Sequence, residues 1–162
     1  MRLVHALLAI AIGTALAGAT AYAGSVEATA QRLRVAIDIV VDDSADTGAF
    51  TVKPLTPSRM KSDKGTVIMG GFAFGHTVRN GMKVQEMERR PSLDGRRGTL
   101  VLEQRFDTNE MQNGMRVGVG TWTIKSGTGT YSRIKGGGRY VAVSMTNGRT
   151  LVRQEGWVTV TG

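Results

Sequence analysis

Three Asn-Gly pairs, each set between two β-rich runs, constrain the fold of this chain more than any other feature. Asn80-Gly81 separates residues 71–78 from 82–88. Asn113-Gly114 separates 99–106 from 115–124, and Asn147-Gly148 separates 139–146 from 149–160. Asn and Gly both tolerate positive φ, which a tight type I′ hairpin turn needs at its two central positions. Asp94-Gly95, just after Pro91, predicts a fourth turn. A chain punctuated in this way folds as consecutive antiparallel hairpins.

The runs between the turns alternate with period two, as strands do. Leu33, Val35, Ile37, Ile39 and Val41 share one face of a first strand. Phe50 and Val52 belong to a short second strand that stops before Pro54, and residues 67–74 form a third with a bend at Gly70-Gly71. Residues 56–65 read as a loop, and residues 28–34 could make one helical turn. No segment sustains a helical period. The count is eight or nine strands in one all-β domain, which suits a single closed or nearly closed antiparallel β-barrel of about eight strands.

The N-terminus reads as a targeting segment. Arg2 precedes an apolar run from Ala6 to Ala17, and Ala21-Tyr22-Ala23 is a small-x-small cleavage site. The run is too short for a membrane of roughly 30 Å. It predicts a signal peptide over residues 1–23, removed after Ala23, a barrel domain over 24–162 and a secreted or periplasmic location. There is no cysteine, so disulfides, thiolate chemistry and Cys-ligated clusters are excluded. Nothing after residue 23 is long and apolar enough for a transmembrane helix.

Charge is uneven along the chain. Residues 24–110 carry 13 basic and 12 acidic side chains, whereas residues 111–162 carry 7 basic and 1 acidic. In an exported protein this predicts a solvated basic face or an anionic surface or polysaccharide as partner, not nucleic acid.

Residues 98–160 carry a further pattern: Gly98-Thr99-Leu100, Gly120-Thr121-Trp122, Ser126-Gly127-Thr128-Gly129-Thr130-Tyr131, Gly136-Gly137-Gly138 and Glu155-Gly156-Trp157. This order resembles the allene oxide cyclase barrel-like and dirigent-like group. One extra residue, Thr130, stands between the Gly-Thr-Gly and the aromatic of that group's motif. The resemblance implies a closed barrel. It also points to a cyclase, to a guide of radical coupling, or to a small exported bacterial protein without an assigned role. Lipocalins share Gly-x-Trp, but on their first strand. Avidin-like pockets need several Trp residues, and this chain has two.

Catalytic constellations are sparse. The Gly-rich stretch lacks the Lys-Ser/Thr of a phosphate loop and any helix to follow it. His76 is the one histidine after residue 23, and no Gly-x-Ser-x-Gly elbow is present. Glu86 and Glu88 share a strand face and read as a solvated pair. On the last strand Leu151, Arg153, Glu155 and Trp157 share one face and Val152, Gln154, Gly156, Val158 and Val160 the other. A valine-filled core puts Arg153 and Glu155 on the surface. The opposite orientation would place an ion pair, costly unless hydrogen-bonded, inside a ligand cavity. The candidate ligand-binding residues are therefore Trp122, Tyr140, Arg153, Glu155 and Trp157, with no catalytic residue, metal or cofactor. The expected function is binding of a small apolar or anionic ligand. The alternatives are a cyclase- or isomerase-like enzyme assisted by Arg153 and Glu155, and a structural protein docking on anionic polymer.

Overall fold

A computed structural model describes residues 30–111 and 113–160; the expected signal peptide over residues 1–23 lies outside them. The described chain forms ten strands: β1 (Gln31–Asp42), β2 (Thr47–Pro54), β3 (Asp63–Ile68), β4 (Phe72–Arg79), β5 (Met82–Arg89), β6 (Ser92–Gly95), β7 (Gly98–Glu110), β8 (Arg116–Gly127), β9 (Ile134–Ser144) and β10 (Arg149–Val160). A single 3-10 turn, Gly129–Tyr131, joins β8 to β9. Eight of the strands close into an antiparallel barrel in the order β7-β6-β3-β2-β1-β10-β9-β8, with β8 returning to β7. The remaining two, β4 and β5, form a hairpin that hangs from β7 through Met87–Arg89, opposite Gln104–Phe106.

Several sequence expectations are corrected here. The third run does not continue through its glycines. It stops at Ile68, Gly70 takes a φ of 70°, and β4 begins at Phe72. The returning arm breaks at the same level, between Arg89 and Ser92, where Arg90-Pro91 interrupts it. One long hairpin is thereby cut into a barrel half (β3, β6) and a projecting half (β4, β5). Residues 63–65 belong to β3, not to a loop, and Gln31–Arg34 are strand, not helix. Asp94 and Gly95 end β6, and the turn falls at Arg96-Arg97.

Only Asn80-Gly81 makes the two-residue turn with both residues at positive φ, 50° and 77°. At Asn147-Gly148 the left-handed conformation falls on Gly148 alone. There the Gly148 N–H donates to the Met145 carbonyl and the Met145 N–H to the Arg149 carbonyl, a three-residue loop closed by a Gly bulge. Met111–Met115 repeats these two backbone bonds.

The core is the inside of the barrel. Leu33, Val35, Ile37, Ile39 and Val41 of β1 all point into it, as do Val152 and Val158 of β10. The registers Val41↔Thr150 and Ile39↔Val152 align these rows across the β1–β10 seam. A bulge in β8 leaves Lys125 unpaired between Ile124, opposite Leu102, and Ser126, opposite Val101. Lys125 and Ser126 are both exposed there, and the Lys125 ammonium meets the carboxylate of Glu103 at 3.1 Å. That contact is the largest cause of the lowered pKa of Glu103, and Arg105 and Arg90 add to it.

Candidate functional site

The two ends of the barrel are built differently. At one end the β8–β9 connection plugs it. Tyr131 of the 3-10 turn is buried, and its hydroxyl donates to Asp63 at 2.8 Å. The Lys64 and Arg97 N–H groups donate to the same carboxylate at 2.9 and 3.2 Å. Burial alone would raise the pKa of Asp63, but these donors outweigh it and the net shift is downward. Above the plug lies Trp122, 1 % exposed, its indole N–H 3.4 Å from the Glu155 carbonyl. Trp122 stands in register with Gly138, which pairs in turn with Gly156. A Cβ on Gly138 would fall 2.0 Å from the Glu155 carbonyl oxygen, and one on Gly156 would fall 2.1 Å from that of Gly137. These two glycines let β9 and β10 approach closely where the indole fills the interior.

The other end carries the β1–β2, β7–β8 and β9–β10 turns and opens into a cavity of about 540 Å³. Phe106 and Tyr140 form its floor, stacked with centroids 4.9 Å apart. Gly118 and Ala142, small inward residues of β8 and β9, leave the space above the rings. Phe72, Phe74 and Met87 reach over it from the β4–β5 hairpin. Phe72 meets Phe106 edge-on at 6.3 Å, and the guanidinium of Arg89 lies 4.1 Å over the Phe72 ring. Arg89 also donates from Nε to the Gly70 carbonyl at 2.9 Å and pairs with Asp46. Its desolvation lowers its pKa, and Asp46 partly compensates. Thr108, Ser144 and Thr150 add hydroxyls to the walls, and Asp43, Asp46, Arg89 and Arg116 bring two charges of each sign. Burial raises the pKa of the Tyr140 phenol, against the field of Arg89, so it stays a neutral donor at the cavity floor.

Directly below this floor are two amides, both 0 % exposed: Gln104, the next inward residue of β7 after Phe106, and Gln154, in register with Tyr140. Neither amide has a hydrogen-bond partner among protein groups. Buried polar groups are paired in the great majority of cases, so this layer stands apart from the rest of the core.

The five candidate residues do not form one site. Tyr140 lines the cavity, and Trp122 is core below it. Arg153, Glu155 and Trp157 lie on the outer wall, because the valine face of β10 points inward. Arg153 donates to Asp38 at 2.6 Å and to Glu155 at 2.7 Å, and Arg34 lies 3.6 Å from Glu155. This ladder crosses β1 and β10 in open solvent, which removes Arg153 and Glu155 from any role inside the barrel. His76 is exposed on β4. Glu88 is half-buried and pairs with Arg90 and Arg105. Among the described residues no three metal-ligating side chains cluster.

Sequence reasoning missed Phe72, Phe74, Met87, Arg89 and Phe106, which three separate strands contribute. One legible signal was the inward row of β9 and β10 (Ala142, Ser144, Thr150), small and polar where a filled core would carry large apolar side chains. No protein-family model, curated protein or solved structure matches this chain.

Proposed function

We propose that this protein is an exported barrel of the allene oxide cyclase-like and dirigent-like kind that binds, without transforming it, a small and mainly apolar molecule in the mouth cavity. The observation that carries this reading is the cavity itself. Its volume of about 540 Å³ falls in the range of small-molecule sites, about 300–1,000 Å³. Its floor and roof are aromatic or sulfur-bearing: Phe72, Phe74, Met87, Phe106 and Tyr140. The lining favours an apolar ligand over an anionic one. Its two cations face two carboxylates, and Arg89, the more buried cation, is already paired with Asp46. An anion would have to displace that partner. The Tyr140 hydroxyl offers one donor to a carbonyl or ether oxygen at the buried end of the ligand.

The test is titration of the purified protein with Nile red, an uncharged apolar dye. Saturable enhancement that dodecanol reverses is expected, with dodecanoate no better a competitor than dodecanol. Filling the cavity by Ala142→Met should weaken dye binding at least tenfold while the fold survives. Dye binding unaffected by Ala142→Met would place the ligand elsewhere and end this reading.

A further inference from the structure

The outer wall made by β1, β10, β9 and β8 has an electrostatic gradient along the barrel axis. Its half nearest the plugged end carries Arg32, Arg34, Lys125, Lys135 and Arg139 against Glu155 alone. The half nearest the mouth carries three cations and two carboxylates, with Asp43 and Asp46 in the adjoining turn. In sequence the basic residues belong to the C-terminal third. In space the group gains Arg32 and Arg34 from the first strand and loses Arg116, Arg149 and Arg153 to the other half.

In the middle of the cationic half lies Trp157, 42 % exposed. The Arg32 guanidinium stands 4.7 Å from its ring centroid and that of Arg34 6.0 Å. An indole can hold two cations side by side in this way, because its ring face is the negative end of its quadrupole. On its other flank Trp157 is in register with Gly137, and Gly137 with Thr123. The wall is therefore flat beside the indole. The flat shelf is bordered by Lys135 and Arg139, neither of which makes an ion pair among the described residues.

We infer that this shelf is a second binding site, independent of the cavity, for an acidic polysaccharide. Charge complementarity supplies the attraction, and the flat strip beside Trp157 accommodates a sugar ring. Two rival polyanions fit less well. A lipid surface needs apolar side chains to insert, and nine of the eleven large apolar side chains exposed among the described residues lie elsewhere, on the mouth half. Duplex DNA carries a charge about every 1.7 Å of axis. Here the cations stand on β1 and β9, two strand spacings or about 10 Å apart, with Glu155 between them. Such spacing suits a polymer with one carboxylate or sulfate per sugar or two. Bound by this wall, the protein would leave its mouth uncovered by the polymer.

The experiment is fluorescence titration of the purified protein with alginate, which carries one carboxylate per sugar, followed by acrylamide quenching. The chain has two tryptophans and one of them is buried, so quenching reports Trp157. Alginate should protect Trp157, and log K should fall linearly with log salt. The double variant K135A/R139A should bind at least tenfold more weakly at 50 mM salt and lower the salt slope by about one to two. W157A should weaken binding several-fold. The mouth-end variant R116A/R149A, which removes the same net charge, should bind alginate as the parent does. An equal loss in R116A/R149A would reduce the effect to net charge and overturn the site. Equal binding of neutral dextran, tighter binding of an oligothymidylate of matched charge, or flotation with vesicles of 30 % phosphatidylglycerol abolished by the same variants would overturn the polysaccharide assignment.

Discussion

The plugged end and the mouth are made from the same strands by the same alternation, yet they invert each other. Near the plug the inward positions of β8, β9 and β10 hold Trp122, Ile134 and Val158, and the outward ones hold Lys125, Lys135 and Arg139. Near the mouth the inward positions hold Gly118, Ala142, Ser144 and Thr150, and the outward ones Val119, Val141 and Leu151. One half buries its bulk and exposes its charge. The other keeps its interior small and shows apolar surface outside. A stable barrel needs only the first arrangement. The second forgoes packing around the cavity, where atoms lack partners on one side. The plugged half thus carries stability, and the mouth half is where the proposed binding falls.

Mutations sharpen this contrast in order of effect. Trp122→Ala empties the largest interior side chain of the plugged half and should cost about 3–5 kcal/mol, read by urea unfolding. A cost near that of a surface change would abolish the contrast. Asp63→Asn should cost about 1–3 kcal/mol, because it removes a charged acceptor from the Tyr131, Lys64 and Arg97 donors. It should also change the pH profile. The folded pKa of Asp63 lies below its ordinary value. Its stabilisation is therefore complete above about pH 4 and is lost as pH falls through the folded value. The parent should lose stability over that acid range, and Asp63→Asn should lose less.

Smaller effects belong to the mouth. Gln154→Met replaces an unpaired buried amide with an apolar side chain of similar length and should raise stability by about 1 kcal/mol. An equal loss instead would mean that the amide layer is bonded in solution. Tyr140→Phe should shift stability by no more than about 0.5 kcal/mol while weakening ligands that carry an acceptor oxygen. Phe74→Ser, at a side chain 65 % exposed, should leave the melting temperature unchanged and weaken Nile red binding. A larger loss of stability from Phe74→Ser than from Asp63→Asn would reverse the assignment of the two halves.

Much of the fold was readable from local pattern. The inward row of β1, the three turn positions and the valine face of β10 all follow from period two and from residues that accept positive φ. The outward position of Arg153 and Glu155 followed from the same valine face. The site was far less readable. Phe72, Met87, Arg89 and Phe106 are remote from Tyr140 in sequence, and nothing in their own neighbourhoods marks them as lining. They meet because the β3–β6 hairpin breaks at Gly70 and Arg90-Pro91, so that its outer half leans over the mouth.

The sequence alone determined that this chain is built of antiparallel hairpins with one apolar face, because turn chemistry and side-chain alternation act over a few residues. Only the tertiary structure decided which end is plugged and which is open, and that Arg32 and Arg34 join Trp157 on one wall. Those outcomes depend on barrel closure across the β1–β10 seam and on the register of that pairing. Closure brings together residues more than a hundred positions apart, and no local preference encodes it.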